Sequence, residues 1–191
     1  MSVASQTQAA IDLVVGELSA LLHTVSSRGD GAVEELSSVL RAADRLFVLG
    51  LGRSGLALRM LAMRLMHLGL AVHVVGEVTT PAIAAGDVLL VASGSGTTPT
   101  VVRAAETATA VGAHVVALTA AESSPLTAIA AASVVLPAAG KLDRSGQASA
   151  QYAGSLFEQG VVAVGDALFH AMWQAGGATA DDLWPRHANL E

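Results

Sequence analysis

Cysteine is absent from this chain, which excludes disulfide staples and thiolate chemistry and leaves the redox compartment open. Lysine is nearly absent: Lys141 is the only one among ten basic residues, set against sixteen acidic ones for a formal net charge of −6. With no basic stripe, a nucleic-acid backbone is not an expected partner, whereas an anionic metabolite needs only local donors. Charge of either sign is scarce at 14%, and the segment Leu56 to Leu68 carries only Arg59, Arg64 and His67 as ionisable groups. Such a helix cannot present a broad polar face, so faces of this kind are expected to be hidden in a homo-oligomer. No run of about 18 residues is apolar without polar or proline interruption, and Met1 to Gln8 has no basic stretch followed by an apolar core. No membrane partner is expected, and the cytoplasm is the simple location.

What is present is aliphatic. Hydrophobic residues make up 52% of 191 positions, much of it Ala and Val, which suffices for one substantial core and favours a single domain. Apolar residues at helical spacing over Ala9 to Val25 and again over Gly31 to Ala43, broken by Arg28-Gly29-Asp30-Gly31, predict an N-terminal α-hairpin. Residues 1–44 form that hairpin as an integral part of the domain, and 45–191 form its core and tail. In the core, short aliphatic runs alternate with helical patterns: Leu46 to Leu49, Ala71 to Val75, Val88 to Ala92, Val115 to Leu118 and Val134 to Leu136. Near-continuous apolar strands of this kind imply a five-stranded parallel sheet covered on both faces, hence an α/β fold. The helices expected are Ser54 to Leu68, Thr98 to Val111, a short Pro125 to Ala131 and a long Tyr152 to Ala175, with Gly69, Gly112 and Gly176 as C-terminal stops. Lys141 to Ser149 is the one polar irregular stretch after the last strand.

Two turns follow strand-like runs and open helix-like ones. Gly50-Leu51-Gly52-Arg53-Ser54-Gly55 has the G-x-G-x-x-G spacing of dinucleotide sites, with Glu77 beyond the next strand, 27 positions after Gly50 and late for a ribose ligand. Ser93-Gly94-Ser95-Gly96-Thr97-Thr98 places four hydroxyls at a helix N-terminus, where free N–H groups favour an anion. Neither ends in the Gly-Lys-Ser/Thr of an ATP loop. Two hydroxyl-rich anion turns on one sheet edge point to a small phosphorylated sugar. Arg53 adds a charge-assisted contact to phosphate or sugar oxygens or forms an interface ion pair; Ser54 caps the helix or touches ligand. Glu158 lies in Gly154-Ser155-Leu156-Phe157-Glu158-Gln159, beside an apolar pair where a carboxylate can shuttle a carbon-bound proton, or else form a subunit ion pair. His67 near the end of its helix is either an acid–base group or a satisfied core imidazole. The histidines form no ligand spacing for a metal.

The chain from about Arg45 to Glu191 resembles the 6-phospho-3-hexuloisomerases of the SIS, or sugar-isomerase, family, and the N-terminal hairpin fits their extent. The residues that carry the likeness are Gly50 to Gly55, Ala62-Met63-Arg64-Leu65-Met66-His67-Leu68-Gly69, Val75-Gly76-Glu77-Val78-Thr79-Thr80-Pro81, Ser93 to Gly96, Gly154 to Gln159 and the tail Arg186-His187-Ala188-Asn189-Leu190-Glu191. The resemblance implies a single SIS domain. It would place the sugar phosphate at Ser93, Ser95 and Thr98, with Gly52, Arg53 and Ser54 lining the other side and Gly94, Gly96 and Thr97 among the substrate-binding residues of the same turn. It also implies Glu158 as catalytic base and His67 as assisting acid or base. A dimer of dimers with active sites near subunit boundaries comes with it, as does a pathway link to a 3-hexulose-6-phosphate synthase. Thr97 and Tyr152-Ala153 depart from the family's commoner residues.

The reaction so implied interconverts D-arabino-hex-3-ulose 6-phosphate and D-fructose 6-phosphate through an enediol, with no cofactor and no metal called for. Other readings are another phosphosugar aldose–ketose isomerase, a phosphosugar sensor without turnover, and a nicotinamide-binding protein.

Overall fold

Alternation within each strand decides which helices cover which face of the sheet. In a computed structural model describing residues 2–140 and 143–190, the chain runs α1 (Val3–Ser27), α2 (Ala32–Ala42), β1 (Leu46–Gly50), α3 (Gly52–His67), β2 (Val72–Val74) and β3 (Val88–Ala92). It continues through α4 (Pro99–Ala110), β4 (His114–Thr119), α5 (Pro125–Ile129), β5 (Ala132–Val135), α6 (Ser155–Gly176) and α7 (Ala180–Leu183), closing with a 3-10 turn at Trp184–Arg186. Leu46, Val48, Leu90, Val116 and Val134 point to one side, where α1, α2, α3 and α6 contribute Leu21, Leu36, Leu61 and Leu168. Phe47, Leu49, Leu89, Val91 and Val115 point to the other, against Val101 and Ala105 of α4 and Leu126 of α5. Both faces are therefore buried, as the continuous apolar runs require.

All strand pairs are parallel, in the order β2-β1-β3-β4-β5. The chain leaves β1 in one direction for β2 and returns on its other side as β3, so the order reverses between β1 and β3. Open α/β sheets bind ligands at the carboxyl ends of such a reversal. Gly50 pairs in register with Ala92, which sets the two glycine-rich turns side by side at that edge.

The expected elements form, with shifts at their ends. β5 lies two residues earlier than the run Val134 to Leu136, since Ala132 to Val135 pair with Val116 to Thr119, and buried Leu136 continues the ladder by donating its N–H to Thr119. α3 begins at Gly52, so Ser54 sits inside the first turn and does not cap it; Leu51 is the N-cap. The left-handed stop of α6 is Gly177, with Gly176 its last helical residue. α6 begins only at Ser155, after Ala153 at a positive φ of 51°. Within the polar stretch read as a loop, Lys141 and Leu142 lie outside the described residues, and the remainder is irregular.

α1 is long and apolar enough by length and composition to cross a membrane. In this fold it lies along α6, with Leu21 buried in the core and Glu17 hydrogen-bonded to the segment before α6.

At the opposite edge of the sheet, Asp87 is almost fully buried and accepts from Arg45 Nε at 2.9 Å and Nη2 at 2.6 Å, and from the Ala84 N–H at 2.7 Å. The Arg45 guanidinium holds the Asp87 carboxyl below the usual carboxylate range, although burial opposes it. Asp87→Ala is expected to cost on the order of 3 kcal/mol, the low end for breaking a buried pair, because Arg45 stays partly solvated. Because the folded-state value is depressed, this contribution is present above the unfolded value of about 3.9 and is lost as pH falls below it. Urea midpoints of parent and variant should thus differ at neutral pH and converge in acid, with KM unchanged.

Candidate active site

The end of β1 and the first turn of α3 touch so closely that only glycine fits. A Cβ on Gly55 would collide with the Gly50 carbonyl, and one on Gly50 would lie 2.8 Å from the Gly55 amide. The spacing of these two glycines thus fixes how near the α3 N-terminus approaches the sheet edge. Glu77, which comes late in sequence for a ribose ligand, pairs with Arg59 at 2.5 Å.

The second turn is tied down from behind. Gly94 O accepts from the Ala120 N–H, and Gly96 O from the Leu126 N–H, so the ends of β4 and α5 hold the loop. Gly96 has a φ of 62°, and a Cβ there would clash with Ser124 Oγ. In front, buried Ser93 Oγ lies 3.1 Å from Thr98 Oγ1, while Ser95 Oγ accepts from Thr97 N–H at 3.2 Å and from Thr97 Oγ1 at 3.0 Å. Thr98 is the N-cap of α4 and Pro99 its first residue; the Thr98 side chain makes no capping bond. The first turn of α4 therefore keeps free N–H groups toward the loop.

α6 brings the carboxylate. Glu158 sits in its first turn and accepts from Arg53 Nε at 2.6 Å, with Glu158 largely covered and Arg53 64% exposed. Phe157 lies against Gly94, whose Cβ would meet the ring at 3.4 Å. One helical turn thus joins the two glycine-rich loops: Phe157 packs on the hydroxyl loop while Glu158 holds the arginine of the other. Gly52, Arg53, Ser54, Ser93 to Thr98 and Glu158 share the carboxyl edge of β1 and β3. A carbon acid anchored by an anionic end on Ser93 to Thr98 would have its reacting carbons near Glu158.

His67 is not part of this cluster in the chain. It is the last residue of α3, fourteen residues beyond Arg53 and so about 21 Å along the helix. There His67 is 2% exposed and its ring lies against that of His187 of the tail, centroids 4.0 Å apart and planes tilted by 32°. Arg186 Nη1 donates to the His67 carbonyl at 3.1 Å. Burial, and then the neighbouring His187 and Arg64, push the His67 imidazole below its ordinary range. The tail contact was not expected, although Thr179-Ala180-Asp181-Asp182, which forms the capping box of α7, announces a helix start. Among the described residues no three His, Asp or Glu side chains gather as for a metal ion.

An open parallel sheet with two glycine-rich turns at its reversal, joined by the first turn of α6 that carries Glu158, defines an α/β domain of the doubly wound kind. The chain belongs to the SIS domain family, which matches residues 39–153. It is 58% identical over 147 residues to the 3-hexulose-6-phosphate isomerase of Mycobacterium gastri, covering 77% of this chain and 74% of that protein. To the 3-hexulose-6-phosphate isomerase of Bacillus subtilis (strain 168) it is 33% identical over 159 residues, covering 83% of this chain and 86% of that one. A crystal structure from Methanococcus jannaschii, described as inferring a molecular function of 3-hexulose-6-phosphate isomerase, superposes with a TM-score of 0.83 at 25% identity, over 96% of this chain and 99% of that one.

Proposed function

We propose that the chain is a phosphosugar isomerase interconverting D-arabino-hex-3-ulose 6-phosphate and D-fructose 6-phosphate. The observation that carries this reading is the shared site: Glu158 is tied to Arg53 at the first loop and, through Phe157 and Gly94, stands beside the hydroxyl loop. The likeness to two proteins of that activity supports the choice of substrate.

Ser93, Ser95 and Thr98, with the N-terminus of α4, hold the phosphate and so orient C2 and C3 before the carboxylate. Glu158 takes the proton from C2 while the C3 carbonyl oxygen takes one from solvent, giving the C2–C3 enediol. The O2 proton then passes to solvent as the carbonyl forms at C2, and Glu158 returns its proton to C3, so that one proton has moved from C2 to C3 and one in net from O2 to O3. The pair with Glu158 engages Arg53 Nε on a side chain that is 64% exposed, which leaves the Nη donors available to the developing oxygen charge. Since O6 is esterified, a 3-keto sugar lacks the usual oxygen for closing a five-membered ring at C3. The forward direction therefore needs little ring-opening chemistry.

The working unit proposed is a homotetramer, a dimer of dimers. Leu56, Met60 and Met63 form an exposed apolar stripe along α3, flanked by few charges. Because His67 stands far from its own chain's Glu158, proton transfer by His67 requires a neighbouring subunit to bring it near. The substrate would be supplied in the cytoplasm by a 3-hexulose-6-phosphate synthase. The testing experiment is turnover of purified protein with D-arabino-hex-3-ulose 6-phosphate, with arabinose 5-phosphate and glucose 6-phosphate for comparison. Fructose 6-phosphate is the expected product; folded, phosphosugar-binding protein without that turnover would move the assignment to a sensor or another isomerase.

A further inference from the structure

The helix that carries Glu158 starts without a cap of its own. Gly154 occupies the N-cap and supplies no side chain, and Ala153 before it adopts φ 51°, a left-handed conformation that costs a non-glycine residue about 1–2 kcal/mol. Such a conformation persists only where surrounding contacts impose it. Contacts to the segment just before it come from α1, 132 to 134 residues away in sequence. Glu17 Oε2 accepts from Ser149 Oγ at 2.6 Å and from Gln151 Nε2 at 3.0 Å, while Oε1 accepts from the Ala150 N–H at 2.7 Å. Gln151 in turn pairs doubly with Gln159, at 3.1 Å from its own Nε2 and 2.8 Å from Gln159 Nε2. Gln159 directly follows Glu158. The chain of bonds thus runs from α1, across the strained entrance to α6, to the residue beside the carboxylate.

We propose that Glu17 is a positioning residue: its carboxylate clamps Ser149 to Gln151 and so sets the rotation of the first turn of α6 that presents Glu158. This rests on Glu158 being the base. All three donors come from one three-residue segment, so a single anion gathers it, and a slip of one residue in the start of α6 would turn Glu158 by about 100°. Burial alone would raise the Glu17 carboxyl, but its bonds from Ser149, Ala150 and Gln151 hold it below its ordinary value. The bulk of α1 packing is independent of Glu17, since Leu21, Leu18 and Leu22 seat the helix on the core.

Glu17→Gln keeps shape but turns an NH₂ group toward donors that need an acceptor. It is expected to lower kcat about 10- to 100-fold, the effect of a displacement near 1 Å at the reacting carbon, with KM within about threefold because the phosphate loop is untouched. Amide exchange over residues 150–158 should accelerate while Tm stays near that of the parent. Ser149→Ala, a milder release of the same clamp, should fall between the two. Unchanged kcat in both variants would overturn the proposal, as would a joint fall of kcat, phosphosugar affinity and Tm, which would mark Glu17 as merely structural. Glu158→Gln measured alongside separates the two ideas: if that variant turns over normally, the base assignment fails whatever Glu17 does. A kcat loss confined to the Glu17 and Ser149 variants would then act through some other group and would overturn Glu17 as the residue that positions Glu158.

Discussion

Glu158→Gln is expected to bind phosphosugar as the parent does and to lose isomerisation by about a thousandfold or more, within the range by which positioned acid–base groups accelerate proton transfer. Gln preserves length and can still accept from Arg53 Nε, which the carboxylate does at 2.6 Å, so the contact between α3 and α6 survives. What disappears is the group able to take a proton from carbon and give it back. Incubation in D₂O with D-fructose 6-phosphate reads that step directly through deuterium at C3, the carbon protonated in forming it. Loss of both exchange and turnover with retained binding is the expected result; parental exchange would remove Glu158 from the proton path. A variant that fails to bind phosphosugar would instead make the Arg53–Glu158 ion pair a structural strut.

The sheet was legible because its strands are uninterrupted aliphatic runs, Leu46 to Leu49 and Val88 to Ala92 above all, and parallel strands buried on both faces demand such runs. The two turns were legible for the same local reason: each glycine and hydroxyl cluster follows directly on its strand. Less could be read where partners are distant in sequence. Arg53 and Glu158 were each singled out, yet their 105-residue separation hides the bond between them. Glu17 carried no signal beyond being a polar position on a helix, because its partners are fixed only when α1 lies along α6. His67 shows the converse. Its position at the far end of α3 from Arg53 follows from the helix span alone, and only its contact with His187 depends on the tail folding back over that end.

The hydroxyl loop carries the second large expectation. Ser95 Oγ already accepts two bonds from Thr97, which leaves its own proton free to donate outward, and Ser93 shares one proton with Thr98 across 3.1 Å. A phosphate oxygen entering before α4 would receive these protons together with free N–H groups of the helix start. Since hydrogen bonds to a charged group are worth roughly 1.5–3 kcal/mol each, Ser93→Ala combined with Ser95→Ala should weaken phosphosugar binding about 100-fold or more. KM should rise correspondingly, and kcat should fall less, because Glu158 and Arg53 remain in place. Folding stability should change little by comparison: the loop is held from behind by Gly94, Gly96 and their partners at Ala120 and Leu126, none of which uses a serine hydroxyl. Thr97→Val serves as the control for loop geometry, since it removes the hydroxyl that bonds Ser95 without removing Ser95 itself. Calorimetric titration with D-fructose 6-phosphate, beside KM for the 3-keto sugar, decides the matter: equal affinity and equal KM in the double variant would place the phosphate elsewhere on the sheet edge, whereas a large loss in the double variant and a small one in Thr97→Val would assign it to the two serines.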